Sequence, residues 1–250
     1  MTETKKVMIN ADMGESFGNY SIGNDEKLMP YMSLINLACG FHAGDPVVMK
    51  KSVELAKKNN ITVGAHPGFN DMQGFGRRML YLSEDELYCD LIYQFGALDA
   101  FLKISGMTMN HVCPHGKMDP LVSDNENYAR VFMKAVTDYN PDLYILLESK
   151  CLLAKLCKEK GIKTLYVGYP DVEYDENGEM IIGGRKNSLN PKRVAEQALH
   201  MVKDNYYTNW EGKKFPITAE VLCFHGDVPN CVEVVEAVRR KLIQNDIKLI

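Results

Sequence analysis

Lys6-Val-Met-Ile-Asn10-Ala-Asp12-Met-Gly14-Glu15 is a short apolar run that ends in titratable side chains set around a glycine. A run of this length reads as a buried strand, and a glycine just past its end lets the backbone turn tightly or approach a ligand. The signature returns in Gly40-Phe-His42-Ala-Gly44-Asp45, Gly64-Ala-His66-Pro-Gly68, Pro114-His115-Gly116 and Phe224-His225-Gly226-Asp227. Packing alone does not produce such a recurrence. Four of the six histidines fall in it, and titratable groups gathered in one cleft are the expected mark of a site.

Working outward, seven short strand-like runs are expected at residues 6–12, 34–40, 61–66, 107–113, 143–147, 164–169 and 220–225, separated by segments of helical spacing. Asp45-Pro46 and Asn190-Pro191 are helix starts with a capping side chain before a first-turn proline. Ser83-x-x-Glu86 and Ser123-x-x-Glu126 read as capping boxes. Leu87, Leu91, Phe95, Leu98 and Leu102 form one apolar helical stripe, and Gly161 follows a cationic last turn as a helix terminator. Strand and helix in alternation imply a parallel α/β sheet. Seven units fit a distorted seven-stranded β/α barrel, in which strand C-termini converge on one mouth, with a doubly wound open sheet as the runner-up. Two segments interrupt the alternation: the glycine-rich loop 68–78, and 171–187, read as a hairpin excursion around Tyr174-Asp-Glu-Asn-Gly178. One domain over 1–250 is the simplest organisation.

Composition narrows the functional classes. The 250 residues carry a net charge of −4 with no basic stripe, which argues against nucleic acid as a partner. The apolar runs are far shorter than a bilayer span, so no membrane segment is expected. Met1 to Lys6 leads straight into the first strand without an apolar leader. Seven cysteines without C-x-x-C spacing suit reduced thiols and a cytoplasmic location.

The mouth should therefore gather Asp12, Glu15, His42, His66, His115, His225 and Asp227 as catalytic candidates. His66 or His115 is read as the base with Asp12 orienting it, and Arg77 as the group that binds a substrate carboxylate or a phosphate. Arg78 is the second cation of the 68–78 loop, and Asp45 is read both as a helix cap and as a candidate member of the mouth. His111, inside a strand, and His200, on a helix, are assigned to packing. Asp12, His42 and His66, with His115 and His225, are suitable Zn2+ or Mn2+ ligands by chemistry, although no ligand-spaced motif such as H-E-x-x-H supports a metal. There is neither a G-x-S-x-G elbow nor a Walker loop, and the 68–78 loop is the one segment that offers a phosphate cradle.

Taken in order, Asn10-x-Asp12-x-Gly14-Glu15, Ala38-Cys-Gly-Phe-His-Ala-Gly-Asp-Pro46, Gly64-Ala-His-Pro-Gly68, Gly74-Phe-Gly-Arg-Arg78, Pro114-His-Gly116 and His225-Gly-Asp227 resemble the LamB/YcsF family. The resemblance implies a distorted seven-stranded barrel related to the glycoside hydrolase and deacetylase group. It also implies ATP-dependent opening of the lactam of 5-oxoproline to glutamate, in company with two further oxoprolinase subunits, with ATP used by the assembled enzyme. The later motifs depart from the family pattern. Cys113 stands where Lys is usual, and Lys117-Met-Asp-Pro120 where Ala-Leu-Tyr-Asn is usual. Val167-Gly-Tyr-Pro-Asp171-Val172 replaces Glu-x-Phe-Ala-Asp-Arg, keeping only Asp171 as a substrate-binding candidate, and Arg185 could replace the lost arginine only in a shifted register. Another lactam, cyclic amide or acylated compound therefore stays open as substrate. A metal-dependent deacetylase and a non-catalytic binder of small acids are the alternatives.

Overall fold

The computed structural model describes residues 4–183 and 187–250. Met1 to Glu3, at the head of the segment read for a leader, and Arg185 lie outside the described residues. The strands are β1 (Lys6–Met13), β2 (Leu34–Ala38), β3 (Thr62–His66), β4 (His111–Val112), β5 (Tyr144–Leu147), β6 (Thr164–Gly168), β7 (Tyr206–Thr208), β8 (Lys214–Pro216), β9 (Val221–His225) and β10 (Lys248–Leu249). The helices are α1 (Asp25–Leu28), α2 (Pro46–Asn59), α3 (Glu84–Ile104), α4 (Met118–Asp124), α5 (Glu126–Tyr139), α6 (Leu152–Lys160), α7 (Pro191–Leu199) and α8 (Cys231–Ile243).

Strands β1 to β6 pair in sequence order and in parallel, β6 pairs with β9, and β9 returns to β1 through Met8↔Val221 to Asp12↔His225. That last pairing closes a seven-stranded barrel and excludes the open sheet. Two features were not expected. The short β10 pairs with Lys6 and Val7 at the start of β1, before β2 takes over at Asn10. The β7–β8 hairpin forms a separate antiparallel pair outside the barrel.

Leu34, Cys113, Leu146, Val167, Tyr169, Val221 and Cys223 form a small cluster of their own, apart from the larger core between strands and helices. The α3 stripe from Leu87 to Leu102 is fully buried in that larger core. Ser83 makes the expected capping box, and Gly161 ends α6 in the left-handed region. The second capping box is absent. Ser123 belongs to α4 and its hydroxyl donates to Asp119 Oδ1, while Asn125 caps α5, because Met118-Asp-Pro120 opens an extra short helix that carries Ser123 away from the cap position. The expected hairpin excursion is reduced to a bridge between Tyr174 and Met180. No helix among the described residues is long and apolar enough to cross a membrane, and the seven cysteines are free.

Candidate active site

Asp12 is next to last in β1, His66 ends β3 and His225 ends β9, so closure of the barrel brings the three to one mouth. There they line a cavity of about 50 Å³ together with Arg77, His115, Asp119 and Tyr169. Beneath Asp12 lies a polar layer inside the barrel. Asn36 Nδ2 donates to Asp12 Oδ1 at 2.8 Å, and Asn36 Oδ1 accepts from Asn10 Nδ2 at 3.0 Å and from His111 Nε2 at 2.9 Å. A Cβ at Gly64 would lie 2.2 Å from the His111 ring, so glycine on β3 is what lets that ring reach from β4 to β2. Burial pushes the His111 imidazole down to about 3, and it stays neutral as a fixed donor. His111 therefore packs, as its place in a strand suggests, and it also orients Asp12 through Asn36.

The chemistry of the mouth turns on one pair of rings. His66 Nδ1 lies 2.7 Å from the Cys113 carbonyl and His115 Nε2 lies 2.8 Å from the Phe75 carbonyl, so both nitrogens must be N–H donors. The two remaining nitrogens, His66 Nε2 and His115 Nδ1, face each other at 2.9 Å. Two bare lone pairs would repel at that distance, so the pair holds one additional proton. Asp12 Oδ2, 3.4 Å from His66 Nε2, places it on His66. The shifts agree in direction. Burial alone would lower His66, but the Asp12 charge and hydrogen bond raise it, while burial and the His66 charge hold His115 well below the usual imidazole range. Burial would likewise raise Asp12, yet His66, His225 and the Asn36 hydrogen bond keep it well below the carboxylate range.

Glu15 and His42 sit next to this pair and do not line the cavity. His42 stacks on His115 with ring centroids 3.6 Å apart, and its Nε2 is 3.3 Å from Glu15 Oε1. Burial, then the negative charges of Asp12 and Asp227, push Glu15 up to about 8, and burial, then the charges of His115 and His66, keep His42 well below its usual value. Gly76 packs so closely that a Cβ would lie 2.7 Å from His42 Cβ, and its φ of +63° is one that glycine adopts without strain.

On the other side of the cavity, Asp171 accepts from His225 Nδ1 at 3.0 Å and from the His225 amide at 2.8 Å. This fixes the ring with Nε2 turned toward Asp12, 3.8 Å from Oδ2. Asp171 is thus an orienting group for His225, although the sequence suggested a substrate contact. His225, with its free nitrogen near the cavity, also suits a base better than His66, which already carries the proton. Arg77 lines the cavity and pairs with Asp227 at 2.7 Å. Arg78 instead turns outward onto Asp71. Asp45 does not line the cavity: its carboxylate accepts from the amides of Val47, Val48 and Gly18, which hold its pKa down. The 68–78 loop is not an open phosphate cradle, because the amides of Gly74, Phe75, Gly76 and Arg77 are all bonded within the loop.

Glu15, His42, His66 and His115 bring ligand atoms within 4.8 Å of one another, the one such metal-ligating group among the described residues. The donor set suits Zn2+ or Mn2+, and the backbone bonds of His66 and His115 resemble the usual outer partners of ligating imidazoles. The group differs from the expected Asp12, His42 and His66, because Asp12 faces the cavity from the far side of His66. Asp119 and Tyr169 were missed. Asp119 stands one helical turn beyond His115, where burial pushes its carboxyl up to about 7. Cys113 and Val167, where the family pattern has Lys and Glu, share the same interior cluster, so their joint exchange leaves no unpaired charge in the barrel.

Comparison with known proteins places this geometry. The LamB/YcsF family model matches residues 7–250. The 5-oxoprolinase component of A type from Bacillus cereus (strain 03BB102) is 40% identical over 247 residues, covering 97% of each chain. Its counterpart of the same name from Pyrococcus horikoshii is 37% identical, covering 98% of this chain and 97% of its own. Among solved structures, a lactam utilization protein from Thermus thermophilus superposes with a TM-score of 0.87 at 36% identity over 98% of both chains. A family 4 carbohydrate esterase from Streptomyces lividans superposes with a TM-score of 0.50 at 10% identity, covering 98% of this chain and 91% of its own, which extends the likeness of fold to deacetylases.

Proposed function

The chain belongs to the LamB/YcsF family, and on that premise we propose that it is one component of an ATP-dependent 5-oxoprolinase that opens the lactam of 5-oxoproline to L-glutamate, acting with two further subunits. The observation that carries the reading is the shared proton of His66 and His115 beside ionised Asp12, on the wall of a cavity that also holds His225 and Arg77. An amide carbonyl is a poor electrophile. His66, held as an imidazolium, can donate to the charge that develops on the carbonyl oxygen, and His225, oriented by Asp171, can take a proton from the attacking water. Arg77 supplies a cation for the substrate carboxylate or a phosphate.

A cavity of about 50 Å³ holds only one or two waters, so a five-membered lactam enters when a wall yields, and residues 180–183 form one of the walls. With no Walker loop and a 68–78 loop whose amides are internally bonded, nucleotide binding is assigned to the assembled enzyme. The test is reconstitution. The purified chain alone should show no sustained 5-oxoproline-dependent ATP hydrolysis, and adding the two partner subunits should produce glutamate and phosphate together. Robust turnover by the chain alone would contradict the dependence on partners. Calorimetric binding of 5-oxoproline without turnover in the full assembly would instead make the chain a small-acid binder.

The convergence of Glu15, His42, His66 and His115 supports a second reading, a metal-dependent hydrolase of another cyclic or acylated compound. A bound divalent ion would polarise the carbonyl or activate water. The 2.9 Å separation of His66 and His115 is shorter than the roughly 3.3 Å edge of a tetrahedron with metal–nitrogen bonds of about 2.0 Å, so the rings as they stand share a proton. Near-stoichiometric Zn2+ or Mn2+ in protein purified without chelator would favour this second reading.

A further inference from the structure

Beyond the mouth, one buried carboxylate has no role in the site described. Glu148 follows directly on β5, and its Oε1 is enclosed by protein without a hydrogen-bond partner. It faces a cavity of about 190 Å³ whose rim carries Asp124 and Glu179, both solvent-exposed. The far wall is apolar, made by Phe215, Pro216 and Ile217. This wall is built into the fold. Tyr207 of β7 donates to the Gly178 carbonyl at 2.8 Å, and a Cβ at Gly178 would lie 2.6 Å from the Phe215 ring, so glycine lets the turn that carries Glu179 settle on β8. Burial, followed by the charges of Asp119, Glu179 and Asp124, pushes the Glu148 carboxyl up to about 8. Carboxylates facing one another repel, and a cation among them relieves the repulsion.

The shape of the cavity decides which cation. Ligand atoms of Glu148, Asp124 and Glu179 do not converge as a metal requires, since the one such group among the described residues is at the mouth. The cavity is also several times the volume of a water, and it sets acids against an apolar wall. That pairing suits a compact charged head on an alkyl stem, as when lysine side chains lay their methylenes along apolar surface. We propose that this cavity binds a primary alkylammonium group, its head set against Glu148 and its stem along Phe215, Pro216 and Ile217.

The probe is n-butylammonium chloride, titrated calorimetrically into the full chain. Saturable binding at one site is expected, with n-butanol giving none. Glu148→Gln should weaken binding at least about tenfold, the order expected for losing a direct charge partner. Glu179→Gln, at the exposed rim, should weaken it about threefold and leaves the fold intact even if Glu148→Gln does not. Nα-acetyl-lysine methylamide in place of the amine separates two sources of the same group: equal binding assigns the cavity to a lysyl side chain, exclusion to a free amine. Absence of saturable binding by n-butylammonium would overturn the proposal, as would tight one-site binding of Mg2+ that Glu148→Gln abolishes.

Discussion

At the ends of β1, β3 and β4 the buried titratable groups offset one another: Asp12 stands against His66, His66 shares its proton with His115, and Glu15 lies against His42. At the end of β5, by contrast, Glu148 meets only like charges from Asp119, Asp124 and Glu179. Both regions belong to one barrel, and burial acts in each. The first holds Asp12 ionised in spite of burial, whereas the second favours a neutral acid until a cation arrives. The contrast shows that depth alone does not set the charge state of a group at the mouth; the sign of its nearest neighbours does.

The largest effect expected from breaking the first region is on turnover. Asp12→Asn keeps the shape and the Asn36 contact but removes the anion that holds the proton on His66. Turnover by the reconstituted enzyme should fall at least about a hundredfold with the fold intact by circular dichroism. Turnover at the wild-type rate would remove Asp12 from the mechanism.

A smaller effect concerns pH and stability. Glu15 is raised to about 8 in the folded chain, against about 4.5 unfolded. Between those values the native state keeps a proton that the unfolded state has lost, so this group makes stability fall as pH rises through that window. Glu15→Gln removes the slope. Its unfolding free energy relative to the parent, measured in urea, should increase by roughly 1–3 kcal/mol from pH 5 to pH 8. Parallel curves for the two proteins would show that Glu15 is not buried as an acid.

The smallest effect belongs to a residue outside both regions. Asp45→Ala should cost about 1 kcal/mol of stability through loss of the α2 cap, with turnover within twofold of the parent. A large loss of turnover at unchanged stability would return Asp45 to the site.

The barrel was legible because each of its seven strands is an apolar run bounded by turn residues, and the mouth because Asp12, His66 and His225 each stand at a strand end beside glycine. Other features gave weaker signals. β10 is two residues long, and β7 and β8 are three each with exposed polar positions, too short to show a period. Glu148 follows its strand in Leu147-Glu-Ser-Lys150, with no glycine, and reads as surface charge. His111 was legible as packing, but its reach to Asn36 depends on the missing side chain of Gly64, a pairing across strands that only the barrel register supplies. Asp45 and Asp171 look alike in sequence as carboxylates near the mouth. Backbone amides take up the first and His225 the second, which no spacing rule distinguishes.

The proton shared by His66 and His115 is the feature on which the chemistry of the mouth rests, and nitrogen-15 NMR of histidine-labelled chain reads it directly. At pH 7 both nitrogens of His66 should be protonated, His115 should be protonated at Nε2 alone and His42 should be neutral, with the His66 signal moving to the neutral form in Asp12→Asn. A neutral His66 at pH 7 in the parent chain would contradict the shared proton.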